Sequence, residues 1–305
     1  MTKKSTILVA DTIFSAGLDL LHGSADVTYS PEITAADLVK NIAPFEGLIV
    51  RSRTKVTADV IQAARKLRVI GRAGVGLDTI DREAARARGI SVLNTPMAPT
   101  VAVAELTLGL MLALARSITT ADAAMKRGEW IKKDLMGGEL FGNTLGVIGI
   151  GRIGTAVVER ARAFGMNAIA ADPYRTPEEI HWRGAEAVGL EQVLAQADYL
   201  TIHTPLTPDT RGLLGREQIA RMKEGAYLIC TARGGLVDEE ALADALEAGR
   251  LAGAALDVFA VEPPSLTRLV RNPKVICTPH IGAMTREAQQ KAAVDIARQV
   301  LEALV

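Results

Sequence analysis

The sequence predicts an α/β protein made of two doubly wound, parallel-sheet domains. Three observations carry that expectation. Short β-branched runs alternate with helical patterns along the whole chain; the alternation stops at a long apolar helix near residue 100 and then restarts; and a glycine-rich strand-to-helix turn opens the second series. At 305 residues the chain is also too long for one ordinary core.

The first series reads STILVAD followed by FSAGLDLLHG, GLIVR followed by TADVIQAAR, RVIGRAG followed by TIDREAARARG, and then SVLNT. Strands that alternate with helices in this way pair in parallel and are covered on both faces. One long helix is expected over roughly Thr100 to Arg127; its first half is apolar all round, so it should be buried against its own domain or another subunit. TLGVIGIGRIG begins the second series, with strands expected near Asn167–Ala171, Tyr199–His203, Tyr227–Thr231, Gly253–Val258 and Val275–Thr278, and a last helix over about Arg286 to Leu304. The segments TPMAPT (95–100) and PHIGAMT (279–285) interrupt the periodicity and are the expected crossings between domains. A substrate domain would then span 1–96 and be completed by a C-terminal helix within 284–305, with a dinucleotide-binding domain over 97–283. Ligands favour domain clefts, and these two segments would line this one.

Composition narrows the function classes. Basic and acidic residues balance at 35 each, which removes the electrostatic case for nucleic acid or an anionic membrane as a partner. Any bound anion must be held by a few local positive groups. The two cysteines, Cys230 and Cys277, sit in apolar runs and read as core residues rather than as a disulfide or a metal site; no metal is expected. The N-terminus lacks a signal-peptide pattern, and the apolar stretch Val101 to Ala115 is shorter than a membrane span and carries Glu105. A cytoplasmic protein is expected.

The sharpest local signal lies over residues 144–172. Leu145 to Ile148 reads as a strand, Gly149-Ile150-Gly151-Arg152-Ile153-Gly154 is GxGxxG, and a helix and a second strand lead to Asp172, eighteen residues after Gly154. In this Rossmann pattern Gly149 allows the tight turn, Gly151 lets the backbone approach a pyrophosphate, and Gly154 lets helix pack on strand. The amides of Arg152 and Ile153 start the helix and can donate to phosphate. Asp172 can accept from ribose hydroxyls and would repel a 2′-phosphate, which favours NAD over NADP; Arg175 nearby could soften that repulsion.

Oxidising an alcohol carbon needs a base for the hydroxyl proton, a group that tunes the base, and a cation that orients an anionic substrate. Of the four histidines, His22 and His181 read as surface residues and His203 ends a strand. His280, in TPHIGA, falls past the C-terminal end of a strand, the edge where open α/β sheets bind ligands. Arg233 in TARGG and Glu262 in VEPP share that placement after two other strands. Imidazole, carboxylate and guanidinium form one candidate set.

At this point the chain resembles the D-2-hydroxyacid dehydrogenase family, on motifs spread over nearly its whole length: GLIVRSRTKVTADVI, GRAGVGLDTID, NTP…AELTLGLMLALAR, LGVIGIGRIG, HTPLTPDTRGLL, TARGGLVDEEAL, AALDVFAVEPP and TPHIGA. The resemblance implies a flavodoxin-like substrate domain beside the Rossmann domain. It implies that Arg233 pairs with the substrate carboxylate, His280 exchanges the hydroxyl proton, and Glu262 hydrogen-bonds the imidazole and sets its tautomer. Cofactor contacts would fall on Arg152, Ile153, Asp172, Thr204, Thr231, Asp257, Gly282, Ala283 and Val75, and Gly74 and Val75 would also border the substrate. Asp257 would bond the nicotinamide carboxamide. The apolar helix and its extension to Trp130 would bury against a twin subunit, giving a homodimer or higher oligomer.

Within the family the resemblance points to the branch that handles phosphoglycerate, with Arg51 and Arg53 as ligands of the distal anion and serine biosynthesis as the pathway. Two departures keep other readings open. Met97-Ala98-Pro99 replaces polar residues usual in that branch, and Cys230 stands three residues before Arg233 where an Asn is usual. The alternatives are a reductase of glyoxylate, hydroxypyruvate or another 2-keto acid, and, in a different class, an NAD(H)-sensing binding protein. No serine-binding regulatory domain is expected after Val305.

Overall fold

The computed structural model describes residues 4–305. The chain divides into two compact units, Met1–Pro99 with Ala283–Val305, and Thr100–Gly282. The crossings expected at 96/97 and 283/284 therefore fall at 99/100 and 282/283.

The first unit runs β1 (Thr6–Val9), α1 (Ser15–Ser24), β2 (Asp26–Tyr29), α2 (Ala35–Asn41), β3 (Gly47–Val50), α3 (Ala58–Ala63), β4 (Val69–Arg72), α4 (Arg82–Ala87) and β5 (Ser91–Asn94). Its five strands are parallel in the order β2-β1-β3-β4-β5, the flavodoxin-like order. All four residues of the central strand β3 are buried, as expected of a parallel strand with helices on both faces. Side-chain caps start the short helices: the Thr34 hydroxyl accepts from Asp37 N at 3.1 Å, and the Asp81 carboxylate from Ala84 N at 2.9 Å. The last helix, α12 (Arg286–Leu304), returns to this unit and packs on α1 and β4. Glycines set how close it comes. A Cβ at Gly17 would sit 2.6 Å from the Ala293 carbonyl oxygen, and one at Gly71 would sit 2.5 Å from Val300 Cγ2.

The second unit begins with α5 (Thr100–Ala115) and α6 (Ile118–Lys126). Its parallel sheet is built from β6 (Thr144–Ile148), α7 (Arg152–Ala163), β7 (Asn167–Ala171), α8 (Pro177–Trp182), β8 (Glu186–Ala187), α9 (Leu190–Gln196), β9 (Tyr199–Ile202), α10 (Arg216–Arg221), β10 (Tyr227–Cys230), α11 (Glu239–Glu247), β11 (Gly253–Leu256) and β12 (Val275–Cys277). From the far edge the order is β8-β7-β6-β9-β10-β11-β12, the Rossmann order with one strand added. The order reverses between β6 and β9. β7 matches its expected range, and the four strands after β8 stop one or two residues earlier than expected, where the chain leaves the sheet for the loops that matter below.

The single helix expected over Thr100 to Arg127 is two helices, α5 and α6, bent by 66°. Ser117 takes a left-handed backbone with φ 50° and turns its N–H back to Leu114 O at 3.2 Å. The Ala115 carbonyl accepts from Gly138 N at 2.9 Å instead of continuing the helix. Burial explains the position of the break. α5 lies in the core against α7 and β10, whereas α6 is amphipathic and buries only Ala124, so the chain must turn out of the core where the all-apolar run ends. Nor is α5 buried on every side within the chain, since Val101, Glu105 and Gly109 form an exposed stripe. Among the described residues no single helix is long and apolar enough to cross a membrane.

Candidate active site

The turn from β6 to α7 has the geometry its glycines permit. Gly149 is at φ 88°, and a Cβ there would press on the His203 carbonyl at 2.9 Å. No atom lies within 4 Å of a Cβ built on Gly151, so its backbone is open to approach. A Cβ on Gly154 would overlap the Gly149 carbonyl oxygen, which is why helix and strand can pack there only through glycine. Arg152 and Ile153 form the first turn of α7, whose N-cap Gly151 provides no side-chain cap, so their N–H groups keep capacity for an anion.

Asp172, at the end of β7, is held in place by the backbone: Ile150 N donates to Oδ2 and Tyr174 N to Oδ1, each at 3.0 Å. A carboxylate has about four lone-pair positions, so two remain for a ribose diol. Arg175, the residue that could have neutralised Asp172, is paired with Glu179 at 3.1 Å, which leaves the preference for an unphosphorylated ribose intact.

β9 ends beside this turn, at the point where the strand order reverses, with His203 and Thr204. The His203 ring shares a hydrogen with the Thr201 hydroxyl at 3.0 Å, while His203 Nδ1 and Thr204 Oγ1 are buried without a protein partner. Burial pushes the His203 pKa down to about 3, so the ring is neutral. Orphaned buried polar atoms next to an open glycine turn are what a site shaped for a polar ligand leaves in the protein alone. The glycines, Asp172 and these atoms together fit a dinucleotide.

Past β10, β11 and β12 lie Arg233, Glu262 and His280. Glu262 Oε2 lies 2.8 Å from His280 Nδ1, and its Oε1 accepts from Phe259 N at 3.1 Å, so one oxygen anchors the carboxylate and the other holds the ring. A carboxylate oxygen accepts, so in this hydrogen bond Nδ1 donates and Nε2 is left without the proton. Both side chains are partly exposed, at 48% for His280 and 37% for Glu262. The Arg233 loop rests directly on the Glu262 loop. A Cβ at Gly234 would overlap the Phe259 carbonyl, so this contact requires glycine. Gly235 follows at φ 82°, and Arg233 Nη1 donates to the Ala232 carbonyl at 2.7 Å. Cys230 is buried, and burial raises its thiol pKa to about 11, so it remains a thiol and no nucleophile. Cys277 is a free, half-buried thiol.

Several expected contacts carry structural duties. The Thr231 hydroxyl is 2.9 Å from that of Thr107 on α5, and Thr107 in turn donates to Val103 O. Asp257 is fully buried and accepts from Thr278 Oγ1, Ile281 N and Gly282 N. In the first unit, Gly74 takes φ 147°, and a side chain there would overlap the Arg72 guanidinium; its carbonyl accepts from Thr95 N at 2.9 Å. The Val75 carbonyl accepts from Asn94 Nδ2 at 2.6 Å, and that of Ala283 from Gln289 Nε2 at 2.7 Å.

The two arginines after β3 differ. Arg53 is committed within the unit, with Nε 3.0 Å from the buried Asp11 carboxylate and its other nitrogens on the carbonyls of Ala10, Pro31 and Ile33. The Arg51 backbone N–H goes to the same Asp11 carboxylate, while its guanidinium donates to Thr12 O, at 3.0 Å, and to Met284 Sδ, at 3.7 Å. Sequence reasoning missed Asp11, Thr107, Gly234 and the unpartnered His203 nitrogen. The double glycine of TARGG was a signal for Gly234; Asp11 and Thr107 matter through residues 40 and 124 positions away, which no local pattern records. A shallow cavity of about 910 Å³, lined in part by Arg162, Pro177, His181 and Trp182, lies along α8 and contains none of the predicted site residues.

Residues 108–282 match the family model for the D-isomer specific 2-hydroxyacid dehydrogenase, NAD binding domain, and the chain belongs to that family, with NAD as its cofactor. It is similar to the D-3-phosphoglycerate dehydrogenase of Methanocaldococcus jannaschii, at 50% identity over 299 residues covering 98% of this chain and 57% of that protein. The chain thus spans about half the length of the curated relatives it matches. Among solved structures it is similar to the TT0316 protein of Thermus thermophilus, at TM-score 0.90 and 40% identity, covering 98% of this chain and 96% of that one. A glyoxylate reductase from Paecilomyes thermophila also superimposes at TM-score 0.90, with 31% identity over 99% of this chain and 96% of that one.

Proposed function

We propose that this chain is an NAD-dependent D-2-hydroxyacid dehydrogenase, with 3-phosphoglycerate and 3-phosphohydroxypyruvate as its substrate pair in the route to serine. The observation that carries the reading is the His280–Glu262 hydrogen bond at 2.8 Å, on the strand-end loops next to the Arg233 loop of the same Rossmann domain. In the oxidative direction His280 Nε2 accepts the proton of the C2 hydroxyl, and Glu262 stabilises the imidazolium that results. In reduction the same nitrogen returns it. Arg233 receives the substrate carboxylate in its planar fork and polarises the C2 oxygen. NAD, when bound, supplies the redox half of the reaction by taking or giving a hydride. Gly149, Gly151, Gly154, the first-turn amides, Asp172 and Thr204 hold it, and Val75, Thr231, Gly282 and Ala283 border it. Arg51 is the ligand for the distal phosphate, with Gly74 and Val75 beside it.

One observation favours a second substrate class. With the Arg53 guanidinium spent on Asp11 and backbone carbonyls, Arg51 alone of the two remains for a distal anion, and the apolar Met97 is exposed. A small unphosphorylated keto acid such as glyoxylate or hydroxypyruvate needs no second cation. Loss of NADH fluorescence with 3-phosphohydroxypyruvate, hydroxypyruvate, glyoxylate, pyruvate and 2-ketoglutarate separates the two. A kcat/KM for the phosphorylated compound at least about tenfold above the rest, roughly 1.4 kcal/mol of discrimination, supports the first reading. Preference for a small keto acid supports the second, and NADH binding without turnover of any would point to a sensor.

On this reading the protein is cytoplasmic and works as a homodimer or higher homo-oligomer. The exposed Trp130, Met136 and Phe141, in the segment that follows α6, at 77%, 95% and 75% exposure, support self-association. Light scattering that finds a monomer at micromolar concentration would refute it.

A further inference from the structure

The loop that carries His280 is gripped from inside the domain by one carboxylate. Asp257 follows β11 and has no exposed surface. Its Oδ1 accepts from the Thr278 hydroxyl at 2.6 Å and from Ile281 N at 2.8 Å, and its Oδ2 accepts from Gly282 N at 2.8 Å. The three donors bracket His280 in sequence. Between them, His280 N donates to Thr278 O at 3.0 Å, closing a three-residue turn over Pro279, and His280 itself stands at φ 53°. A residue with a Cβ keeps a left-handed backbone only where its surroundings over-determine it. Here the surroundings are the three hydrogen bonds of Asp257. Gly282 completes the seat, because a Cβ there would lie 3.1 Å from Asp257 Oδ2 and 3.3 Å from Val103 Cγ2.

A buried carboxylate persists when its lone pairs are met, and Asp257 spends at least three of them on this loop. We infer that Asp257 is a positioning residue that clamps the 278–282 loop, holds the left-handed backbone of His280, and so sets the imidazole against Glu262. The catalytic consequence rests on the proposed role of His280; the clamp itself does not. Contact with the nicotinamide carboxamide, implied by resemblance, is the competing account of the same side chain.

Two variants of the full chain separate the accounts. Asp257→Asn preserves shape but replaces one accepting oxygen with an amide nitrogen that only donates, so at least one of the three donors loses its acceptor. Thr278→Val removes one donor and leaves the carboxylate and both backbone contacts. Amide hydrogen exchange at Ile281 and Gly282 is read in the ligand-free protein. We expect exchange at one or both to accelerate at least about tenfold in D257N, with the amides of β9 and β10 unchanged. The kcat should fall about a hundredfold in D257N and about tenfold in T278V, with the NADH Kd of T278V within about threefold of wild type. The loss in D257N should persist with the reduced 3-acetylpyridine analogue of NAD, which lacks the carboxamide nitrogen.

Unchanged exchange at both amides would overturn the clamp. So would a loss of kcat that disappears with the analogue, which would assign Asp257 to the carboxamide. If D257N does not fold, T278V decides: wild-type kcat and exchange in that variant overturn the inference. Failure of wild type to turn over any 2-hydroxy or 2-keto acid would remove the proposed activity, while the exchange measurement would still decide the clamp.

Discussion

Replacing His203 with Gln should change how the stability of the second unit responds to acid. The His203 ring has one nitrogen on Thr201 Oγ1 and the other buried, and burial pushes its pKa from the ordinary 6.5 down to about 3. The folded protein therefore keeps the ring neutral over a range in which the unfolded chain protonates it. A base whose folded pKa lies below its unfolded value costs stability as the pH falls through the unfolded value, and the cost stops growing near the folded one. At pH 5 the unfolded chain gains RT ln(1 + 10^1.5), about 2 kcal/mol, that the folded one does not share; at pH 7.5 the same quantity is below about 0.1 kcal/mol. Gln does not titrate. The stability of wild type relative to H203Q should therefore drop by about 2 kcal/mol between pH 7.5 and pH 5. Native-state amide hydrogen exchange in β9 and β10 reads this for the second unit, since the two tryptophans, Trp130 and Trp182, are already 77% and 88% exposed in the folded chain. A stability difference constant with pH to within about 0.5 kcal/mol would refute the reasoning, by showing that folded His203 takes a proton as readily as the free side chain.

Glycine contacts give three further tests. Gly154→Ala places a Cβ against the Gly149 carbonyl and forces α7 away from β6; NADH affinity by fluorescence titration should fall at least about tenfold, about 1.4 kcal/mol, and retained affinity would count against the packing argument. Gly234→Ala pushes the Arg233 loop off the Phe259 carbonyl, on the residue whose N–H anchors Glu262, so kcat should drop at least about tenfold while NADH still binds. Equal losses in both quantities would mean that the whole sheet edge had moved. Gly71→Val drives a side chain into Val300 and Ile296 and should destabilise the first unit by about 1–3 kcal/mol. Amide hydrogen exchange in β3 and β4 should accelerate while that in β9 and β10 does not.

Where sequence reading stopped at the site can be traced to particular residues. Arg53 looked equivalent to Arg51, two positions away on the same basic loop. The difference comes from Asp11, 42 positions earlier, which takes the Arg53 guanidinium and the backbone N–H of Arg51 into one buried network. The single helix over Thr100 to Arg127 failed for a related reason. Helical periodicity continues through Ser117, but burial does not, and the carbonyl freed at Ala115 finds its partner at Gly138.

What the sequence alone determined are the features that depend on neighbours a few positions away. Alternating β-branched and helical runs require parallel sheets, because each strand must be followed by a crossover that covers it. The Gly149, Gly151 and Gly154 spacing requires the phosphate turn, because only glycine accepts φ 88° or the contact between α7 and β6. Arg233, Glu262 and His280 could be singled out because each follows a strand end. The tertiary structure alone decided which side chains remain available for chemistry. The Arg53 guanidinium is held by Asp11, Asp257 grips the His280 loop, and His203 becomes a neutral ring. Hydrogen-bond capacity and solvent access are properties of what surrounds a residue in space, and those surroundings are assembled from distant parts of the chain.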